Sequence, residues 1–290
     1  MILKNKSQIR ERLMEGVFLV AALASVAAVF LICIFLFANG IPGMAKIGFG
    51  NFIFGRNWAP TDVPPSYGIF PMILGSLYVT AGAVLVGVSV GLFTAVFLAR
   101  FCPAKLHKVL KPAVDVLAGV PSVVYGFFGL VVMVPFVREN FGGSGASILT
   151  ASLLLGIMIL PTIIGVAESA IRAVPETYYE GALALGATPE RSVFSVVLPA
   201  ATSGVMAGVI LGIGRAVGET MAVILVAGNQ ARMPNGVLGG VRTLTANIVL
   251  EMGYAADLHR EALIATGVVL FTFILIINLC FSILKRRRIG

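Results

Sequence analysis

Long apolar runs alternate with shorter polar connections along the whole 290-residue chain. A helix that crosses the hydrocarbon core of a bilayer needs about 20 consecutive apolar residues, and each run is long enough. The pattern therefore predicts an all-α polytopic membrane protein with six transmembrane helices, in a domain that covers residues 16–284. The six predicted spans are residues 16–38, 69–98, 113–135, 148–167, 200–227 and 262–284.

The first run, residues 16–38, follows basic residues in the way that a signal peptide does. It is longer than the apolar region of a signal peptide, which has about 7–15 residues, and no convincing small-residue cleavage site follows it. We therefore expect this run to be retained as a membrane-spanning helix.

The composition excludes several classes of protein. Hydrophobic residues make up 58% of the chain and charged residues only 12%, and the mean hydropathy is +1.00. Soluble globular proteins carry about 25% charged residues, so a cytosolic enzyme, a disordered protein and a nucleic-acid-binding domain are excluded. The three cysteines have no paired spacing, so they indicate neither a disulfide framework nor a metal site.

The basic residues indicate how the chain is oriented. Of the 21 Lys and Arg residues, fourteen lie on the side of the membrane that holds both termini, six lie on the other side, and Arg215 lies within a run. Basic residues concentrate on the cytoplasmic side. We therefore expect residues 1–15 and the basic tail, residues 285–290, to be cytoplasmic, and the protein to lie in a bacterial or archaeal plasma membrane, the inner membrane in a Gram-negative cell.

Two predicted external connections, residues 39–68 and 228–261, are longer than simple turns. They are interpreted either as docking surfaces for an external partner or as interfacial loops that only connect helices.

The longest predicted cytoplasmic connection, residues 167–199, contains the signals of two short helices. Pro175 suits the first turn of a helix, and Gly186 can end that helix in a left-handed conformation. Thr188 then suits the N-cap of a second helix, with Pro189 at its first position. The loop is therefore predicted to form a small rigid knob that fits a socket on a cytoplasmic partner.

The string EGALALGATPERSVFSVVLP in this loop resembles the E-A-A-x3-G-x9-I-x-L-P signature of ABC importer permeases, with Gly181 in place of the first Ala and Val196 in place of Ile. In that family the loop forms a coupling helix that docks on the ATP-hydrolysing subunit. The resemblance implies that role for Glu180, Gly181, Ala182, Gly186, Leu198 and Pro199.

The chain itself lacks the G-x-x-x-x-G-K-[ST] loop that cradles nucleotide phosphates. We therefore expect it not to be an enzyme and to bind no cofactor, with ATP and Mg²⁺ held by a separate partner subunit.

Arg215 and Glu219 are the only ionisable residues well inside a predicted span. A charge at the bilayer centre costs from about 2.5 to more than 10 kcal/mol, so it indicates function. On a continuous helix both side chains share one face with Gly204, Gly208 and Gly212, directed into the protein or a subunit interface. A structural pair that neutralises itself remains the alternative.

The planar guanidinium of Arg215 suits a tetrahedral oxyanion. An arginine alone would hold the anion too tightly to release it. We expect the neighbouring Glu219 carboxylate to weaken that binding and to orient the guanidinium, which favours passage over storage.

Several strings resemble the permease of the phosphate-specific ABC importer, the PstC type, over about residue 56 to the C-terminus. They include GVILGIGRAVGETMAVILVAGN around the charged pair, YGIFPMILGSLYVT, GVPSVVYGFFGL, ILPTIIGVAESAIRAVPETYYEGALALGAT and VRTLTANIVLEMGY. The resemblance implies import of inorganic phosphate, with Arg215 and Glu219 matching the family's charged motif. It also implies a second, PstA-like permease, two PstB-like ATP-binding subunits and a PstS-like phosphate-binding protein.

Other polar residues carry weaker signals. Ser122 and Tyr125 follow Pro121, which removes a backbone hydrogen bond, and could line the translocation path near that break. Local packing and capping are the alternative roles. Glu168 and Arg172, four residues apart at the inner end of a span, are interpreted as a solvated ion pair.

The sequence thus predicts a permease subunit of an ATP-driven phosphate importer. Rival hypotheses are a permease for another oxyanion such as sulfate or molybdate, the sister PstA-type subunit, and a proton-coupled secondary transporter with Glu219 as its proton carrier.

Overall fold

The computed structural model describes the backbone of residues 2–287 and the side chains of residues 11–280 and 283. In that part of the chain, five helices are long and apolar enough to cross a membrane. A sixth span results if the segments Pro189–Ala200 and Thr202–Gly218, which meet at a 73° bend, are counted as one. This agrees with the predicted all-α architecture. The basic side chains of Lys4, Lys6, Arg10 and the tail lie outside the described residues.

The elements follow one another as a series of long helices joined by short ones. They are α1 (Ile2–Ile47), α2 (Phe49–Phe54), β1 (Trp58–Ala59), β2 (Ser66–Tyr67), α3 (Phe70–Val96), α4 (Ala104–Gly119), α5 (Ser122–Phe128), α6 (Val134–Phe141), α7 (Ile148–Arg172), α8 (Glu176–Ala184), α9 (Pro189–Ser192), α10 (Leu198–Ala200), α11 (Thr202–Gly218), α12 (Met221–Val226), α13 (Leu244–Glu251) and α14 (Asp257–Arg287). Three π-helical segments, Phe97–Phe101, Gly129–Met133 and Val193–Val197, connect consecutive helices.

Helix α7 is the central element of the bundle. It begins after Ser147, whose hydroxyl accepts a hydrogen bond from the Thr150 backbone N–H. Its buried side chains, such as Leu155 and Ile159, contact α3 on one side and α11 on another. Small residues allow this close approach: a Cβ at Gly87 on α3 would lie 2.5 Å from Ile159 Cγ1.

Helix α1 differs from the other spans because it is exposed along most of its length. It packs against α14 near its own C-terminal end, where the Phe37 ring meets Phe271 edge-on and Gly40 lies against Val268. The helix continues to Ile47, so part of the connection predicted over residues 39–68 is helical.

The third span begins later than predicted. The expected span, residues 113–135, is interrupted at Val120 and Pro121, both in extended conformation. Residues 113–119 instead belong to α4, an amphipathic helix with no fully buried residue, and the span runs from Ser122 to Phe141. The prediction was wrong because Pro121 disfavours helical conformation in the preceding residue, while the apolar residues on both sides of the break form one hydropathy run.

The two ends of the bundle are distinguished by their loops. The predicted cytoplasmic end carries the knob of α8 and α9, together with α4. At the predicted external end, Glu251 of α13 accepts hydrogen bonds from Trp58 Nε1 at 2.9 Å and from the Arg242 guanidinium, and His259 Nε2 lies 2.8 Å from it. This buried cluster joins the β1–β2 hairpin to α13 and the start of α14.

Candidate translocation path and coupling loop

The fifth span is broken at the charged motif. Helix α11 ends at Gly218, Glu219 is extended with φ −69° and ψ 133°, and α12 starts at Met221. The prediction that Arg215 and Glu219 share one face of a continuous helix was therefore wrong. The glycine face of α11 was predicted correctly, since Gly204 packs on Ala170 and Gly212 packs on Ile163 of α7.

The Glu219 carboxylate explains why the helix can break there. Its Oε1 accepts hydrogen bonds from the backbone N–H groups of Thr220, at 3.1 Å, and Ala222, at 3.2 Å. These groups lie at the start of α12, where no preceding turn supplies an acceptor. The Thr245 hydroxyl donates to the Glu219 carbonyl at 3.1 Å, which satisfies a second group freed by the break.

Arg215 remains on α11 and is half-buried. Its Nη1 donates to Thr162 Oγ1 of α7 at 3.3 Å. Among the described residues, the ion pairs within 4.0 Å do not include Arg215 with Glu219, so the two charges do not neutralise each other by direct contact. The guanidinium thus keeps donors that are not committed to a carboxylate. Sequence reasoning missed Thr162, because only the fold brings α7 beside Arg215.

Hydroxyl groups surround the break in the fifth span. They line a narrow cleft of about 10 Å³ between α3, α7, the break and the start of α13. The Leu244 N–H donates to Ser76 Oγ at 2.9 Å, and the Thr243 and Thr245 hydroxyls lie 3.0 Å apart. The loop before α13, predicted to be external, therefore closes over the break with polar groups.

Ser122 and Tyr125 lie at the start of the third span, where Tyr125 packs with Ala222 and Val223 of α12. The Tyr125 hydroxyl donates to the Leu117 carbonyl of α4 at 2.9 Å, and its side chain is 7% exposed. Ser122, the first residue of α5, is half-buried. The fold thus packs Tyr125 against α12 and gives its hydroxyl a structural partner.

The connection after α7 forms the expected pair of short helices. Gly186 ends the turn after α8 with φ +85°, and the Thr188 hydroxyl accepts from the Arg191 N–H at 3.3 Å as the N-cap of α9. The loop was predicted to start at residue 167. Helix α7 continues to Arg172, so the knob starts about five residues later.

The signature residues lie on different surfaces of the knob. Ala182 is buried and Leu198 is half-buried, whereas Glu180, Gly181, Gly186 and Pro199 are exposed. Leu185, at the end of α8, is 91% exposed.

Glu168 and Arg172 do not form a solvated pair, contrary to the prediction. The Glu168 side chain is 4% exposed. Arg172 Nε donates to Glu168 Oε1 at 3.0 Å, and His107 Nε2 and Lys111 Nζ of α4 lie 2.7 and 3.4 Å from its two oxygens. The prediction failed because the two residues from α4 are about 60 positions away in sequence.

Lys111 also contacts an acidic residue of its own helix, Asp115, at 3.0 Å. Although burial opposes its charge, the hydrogen bond to Asp115 and the nearby Glu168 carboxylate raise the pKa of Lys111 above its usual value. Lys111 is therefore charged at neutral pH. In the described part of the chain, no group of three or more His, Cys, Asp or Glu residues is placed to hold a metal ion.

Comparisons with known proteins place this geometry among transport proteins. The profile of the family described as binding-protein-dependent transport system inner membrane component matches residues 87–290. A probable ABC transporter permease, YqgH of Bacillus subtilis strain 168, is 39% identical over 89% of this chain and 86% of its own length. The phosphate transport system permease protein PstC of Mesorhizobium japonicum is 34% identical over 85% of this chain and 81% of its own length.

Solved structures show the same fold. A bacterial alginate ABC transporter, solved in complex with its alginate-bound periplasmic protein, contains a chain that matches with a TM-score of 0.65 at 17% identity. It covers 93% of this chain and 94% of that one. The inward-facing MetNI methionine ABC transporter matches with a TM-score of 0.62 at 22% identity, over 76% of this chain and 95% of that one.

Proposed function

The chain belongs to the family of binding-protein-dependent transport system inner membrane components, and from this premise we propose that it is the membrane-spanning permease subunit of an ATP-driven importer of inorganic phosphate. The observation that carries the proposal is the half-buried guanidinium of Arg215, which donates to Thr162 but forms no ion pair with a carboxylate among the described residues. Relatives of this chain at 33–34% identity are phosphate permeases. An arginine placed there suits a tetrahedral oxyanion because its planar donors match two of the anion's oxygens.

Arg215 binds the phosphate transiently during passage. Since Glu219 does not contact the guanidinium, the carboxylate does not weaken the binding by direct pairing, as the sequence had suggested. Its role is to hold the break between α11 and α12 through the two hydrogen bonds to Thr220 and Ala222. The break places hydroxyl groups and freed backbone groups at membrane depth, where they are tolerated because they line a cavity inside the protein.

Energy comes from outside the chain. The knob of α8 and α9 docks on an ATP-hydrolysing, PstB-like subunit that holds ATP and Mg²⁺, with Leu185 and the exposed residues Glu180 and Gly181 at the contact. The chain supplies no catalytic group for that hydrolysis.

The full importer contains two ATP-binding subunits, a second, PstA-like permease and a PstS-like protein that delivers phosphate from outside. Both termini and the knob lie on the cytoplasmic side, in agreement with the excess of basic residues there. Ser122 and Tyr125 lie along the same path as Arg215, with Tyr125 positioning the start of the third span.

Phosphate uptake in a cell that lacks this chain tests the proposal. The wild-type chain restores uptake, whereas Arg215→Gln abolishes it, because glutamine cannot supply the positive charge that offsets the anion's loss of hydration. Arg215→Lys keeps the charge without the planar fork and is strongly impaired. Arg138→Gln, the same change at an exposed arginine away from the break, is the matched control and retains uptake.

Normal uptake by the Arg215→Gln variant contradicts the proposed role of the arginine. Uptake of sulfate or molybdate but not phosphate by the wild-type chain identifies another oxyanion as substrate. Uptake that persists without any ATPase subunit indicates a secondary transporter.

A further inference from the structure

Glu168 is a buried carboxylate that the proposed function does not use. It lies at the inner end of α7, its side chain is 4% exposed, and it faces three basic groups: His107 and Lys111 from α4 and Arg172 from its own helix. Burying a carboxylate is unfavourable, because the group loses its hydration, unless oppositely charged groups contact it. The basic side chains of the neighbouring helices therefore stabilise Glu168.

The contacts of His107 and Lys111 with Glu168 join α4 to α7. Helix α4 has no fully buried residue. The side of the helix turned towards the protein carries His107, Leu110, Lys111 and Val114, whereas Val109 and Val116 are well exposed. Apolar packing therefore stabilises α4 only weakly. The ion pairs of His107 and Lys111 with Glu168 hold this helix against α7.

The opposite end of α4 reaches the translocation path. Helix α4 ends at Gly119, and the Leu117 carbonyl near its end accepts the hydrogen bond from the Tyr125 hydroxyl at 2.9 Å. Val120 and Pro121 then turn the chain into the third span. A shift of α4 would thus move the start of that span and Tyr125, which packs in one core cluster with Ala222 and Val223 of α12, directly after the break that follows Arg215.

On its other side the cluster connects to the coupling helix α8. Arg172 Nη2 donates to the Leu98 carbonyl at 2.7 Å, within the π-helical end of α3. Arg100, in the same π-helical segment, pairs with Glu176 of α8 at 2.7 Å and lies 5.6 Å above the Tyr179 ring. The Arg100 side chain is 10% exposed and that of Glu176 is 58% exposed, so the ion pair is screened by solvent, and the Tyr179 ring gives the guanidinium a second contact with α8.

We propose that Glu168 is a positioning residue for transport, which fastens α4 to α7 so that movement of the coupling helix α8 reaches Tyr125 and Arg215. The proposal rests on the proposed function and deepens it by naming the residues that carry the motion. When the ATP-hydrolysing subunit displaces α8, Arg100 and Arg172 transmit the displacement to the inner ends of α3 and α7. Glu168 then transmits it to α4.

The test uses the complete importer reconstituted in vesicles, with phosphate uptake and ATP hydrolysis measured together. Glu168→Gln retains the shape of the side chain but removes the charge that holds α4. We expect binding-protein-stimulated ATP hydrolysis to persist while phosphate transported per ATP falls by about 2- to 30-fold, the range that changes within coupled networks produce. A ratio equal to wild type overturns the proposal.

Two further variants test the proposal if Glu168→Gln fails to assemble. His107→Gln and Lys111→Met each remove one partner from the side of α4, where both side chains are about a quarter exposed, and both should lower the same ratio. Lys108→Met is the matched control for Lys111→Met, since Lys108 is an exposed lysine of the same helix and is not among the ion pairs of the described residues. The control should transport as the wild type does. Unchanged ratios in both partner variants also overturn the proposal.

A spin label on α4 distinguishes motion from a merely structural role. Val109 is 66% exposed, and a label at Val109→Cys, with Cys33, Cys102 and Cys280 replaced by serine, reports the mobility of this helix. ATP binding should change the spectrum when Glu168 is present and leave it unchanged in Glu168→Gln. An unchanged spectrum with Glu168 present contradicts the proposal. Absence of phosphate uptake by the wild-type importer contradicts the proposed function instead.

Discussion

At the scale of single residues, the two charges of the fifth span have different roles although they lie four positions apart. Arg215 remains on a helix and contacts Thr162, whereas Glu219 leaves the helix and accepts hydrogen bonds from backbone groups. The sequence identified both residues because a charge inside an apolar run is costly. It could not separate their roles, because Thr162, which contacts Arg215, and Thr245, which contacts the Glu219 carbonyl, are remote in sequence.

Substitution of Glu219 tests its role at the break. A glutamine oxygen can still accept the two backbone hydrogen bonds, so Glu219→Gln should support phosphate uptake close to wild type. Glu219→Ala loses the cap, at a cost of about 0.5–2 kcal/mol, and should lower both thermal stability and uptake.

Uptake assays with melting curves in detergent measure both effects for Glu219. Abolished uptake in a stable Glu219→Gln variant would contradict the capping role and favour the use of Glu219 as a proton carrier.

Tyr125 shows a second limit of residue-level prediction. The sequence left open whether Tyr125 lines the path or packs locally. In the structure its hydroxyl has a backbone partner, Leu117, while its ring packs with Ala222 and Val223 of α12, next to the break. The two roles therefore do not exclude each other, and no spacing rule would have indicated the contact with α4.

At the scale of elements, hydropathy located the helices well and their interruptions poorly. The second, fourth and sixth spans were predicted within a few residues of α3, α7 and α14. The third and fifth spans were predicted as continuous, because apolar residues flank both breaks. Pro121 was a visible signal for one break, whereas the break at Glu219 is held by hydrogen bonds with Thr220, Ala222 and Thr245, which a hydropathy window does not report.

The two faces of α11 give a matched pair of glycine substitutions. A Cβ at Gly212 would lie 2.7 Å from Ile163 Cγ1, so Gly212→Ala should destabilise the protein by about 1–3 kcal/mol through overpacking against α7. A Cβ at Gly214 meets nothing within 4 Å. Gly214→Ala should therefore be neutral or slightly stabilising, since alanine favours the helix.

Denaturation of the isolated chain in detergent measures the free-energy difference between the two glycine variants. Equal effects at both positions would contradict the packing of α11 against α7 described above.

At the scale of the whole molecule, the knob concentrates exposed apolar surface at the predicted cytoplasmic end. Leu185 is 91% exposed at its tip. Leu185→Asp should weaken binding to the ATP-hydrolysing subunit by about 10-fold or more, because a charge would replace an apolar residue at the centre of the contact. Val63→Asp, at a 99% exposed position at the opposite end, is the control.

Co-purification of the ATP-hydrolysing subunit at graded salt concentrations measures the effect of Leu185→Asp. Undiminished binding would place the contact elsewhere on the chain.

The family assignment and the fold were accessible from sequence because the coupling-loop signature and the spans are local patterns. The cluster around Glu168 was not, because His107 and Lys111 are brought to it by α4, about 60 positions earlier in the chain. Long-range polar contacts of this kind leave no periodicity in the sequence.

The broken fifth span also has a consequence for biosynthesis. When a nascent helix is sorted into the bilayer, each Leu, Ile, Val or Phe contributes about −0.3 to −0.6 kcal/mol, whereas an arginine at the centre costs about 2.5 to 3.5 kcal/mol. Helix α11 carries Arg215 and several glycines, and Glu219 follows directly. The segment is therefore a weak insertion signal on its own, and α7, which supplies Thr162 and the surface for the glycine face, has to be in the membrane before it.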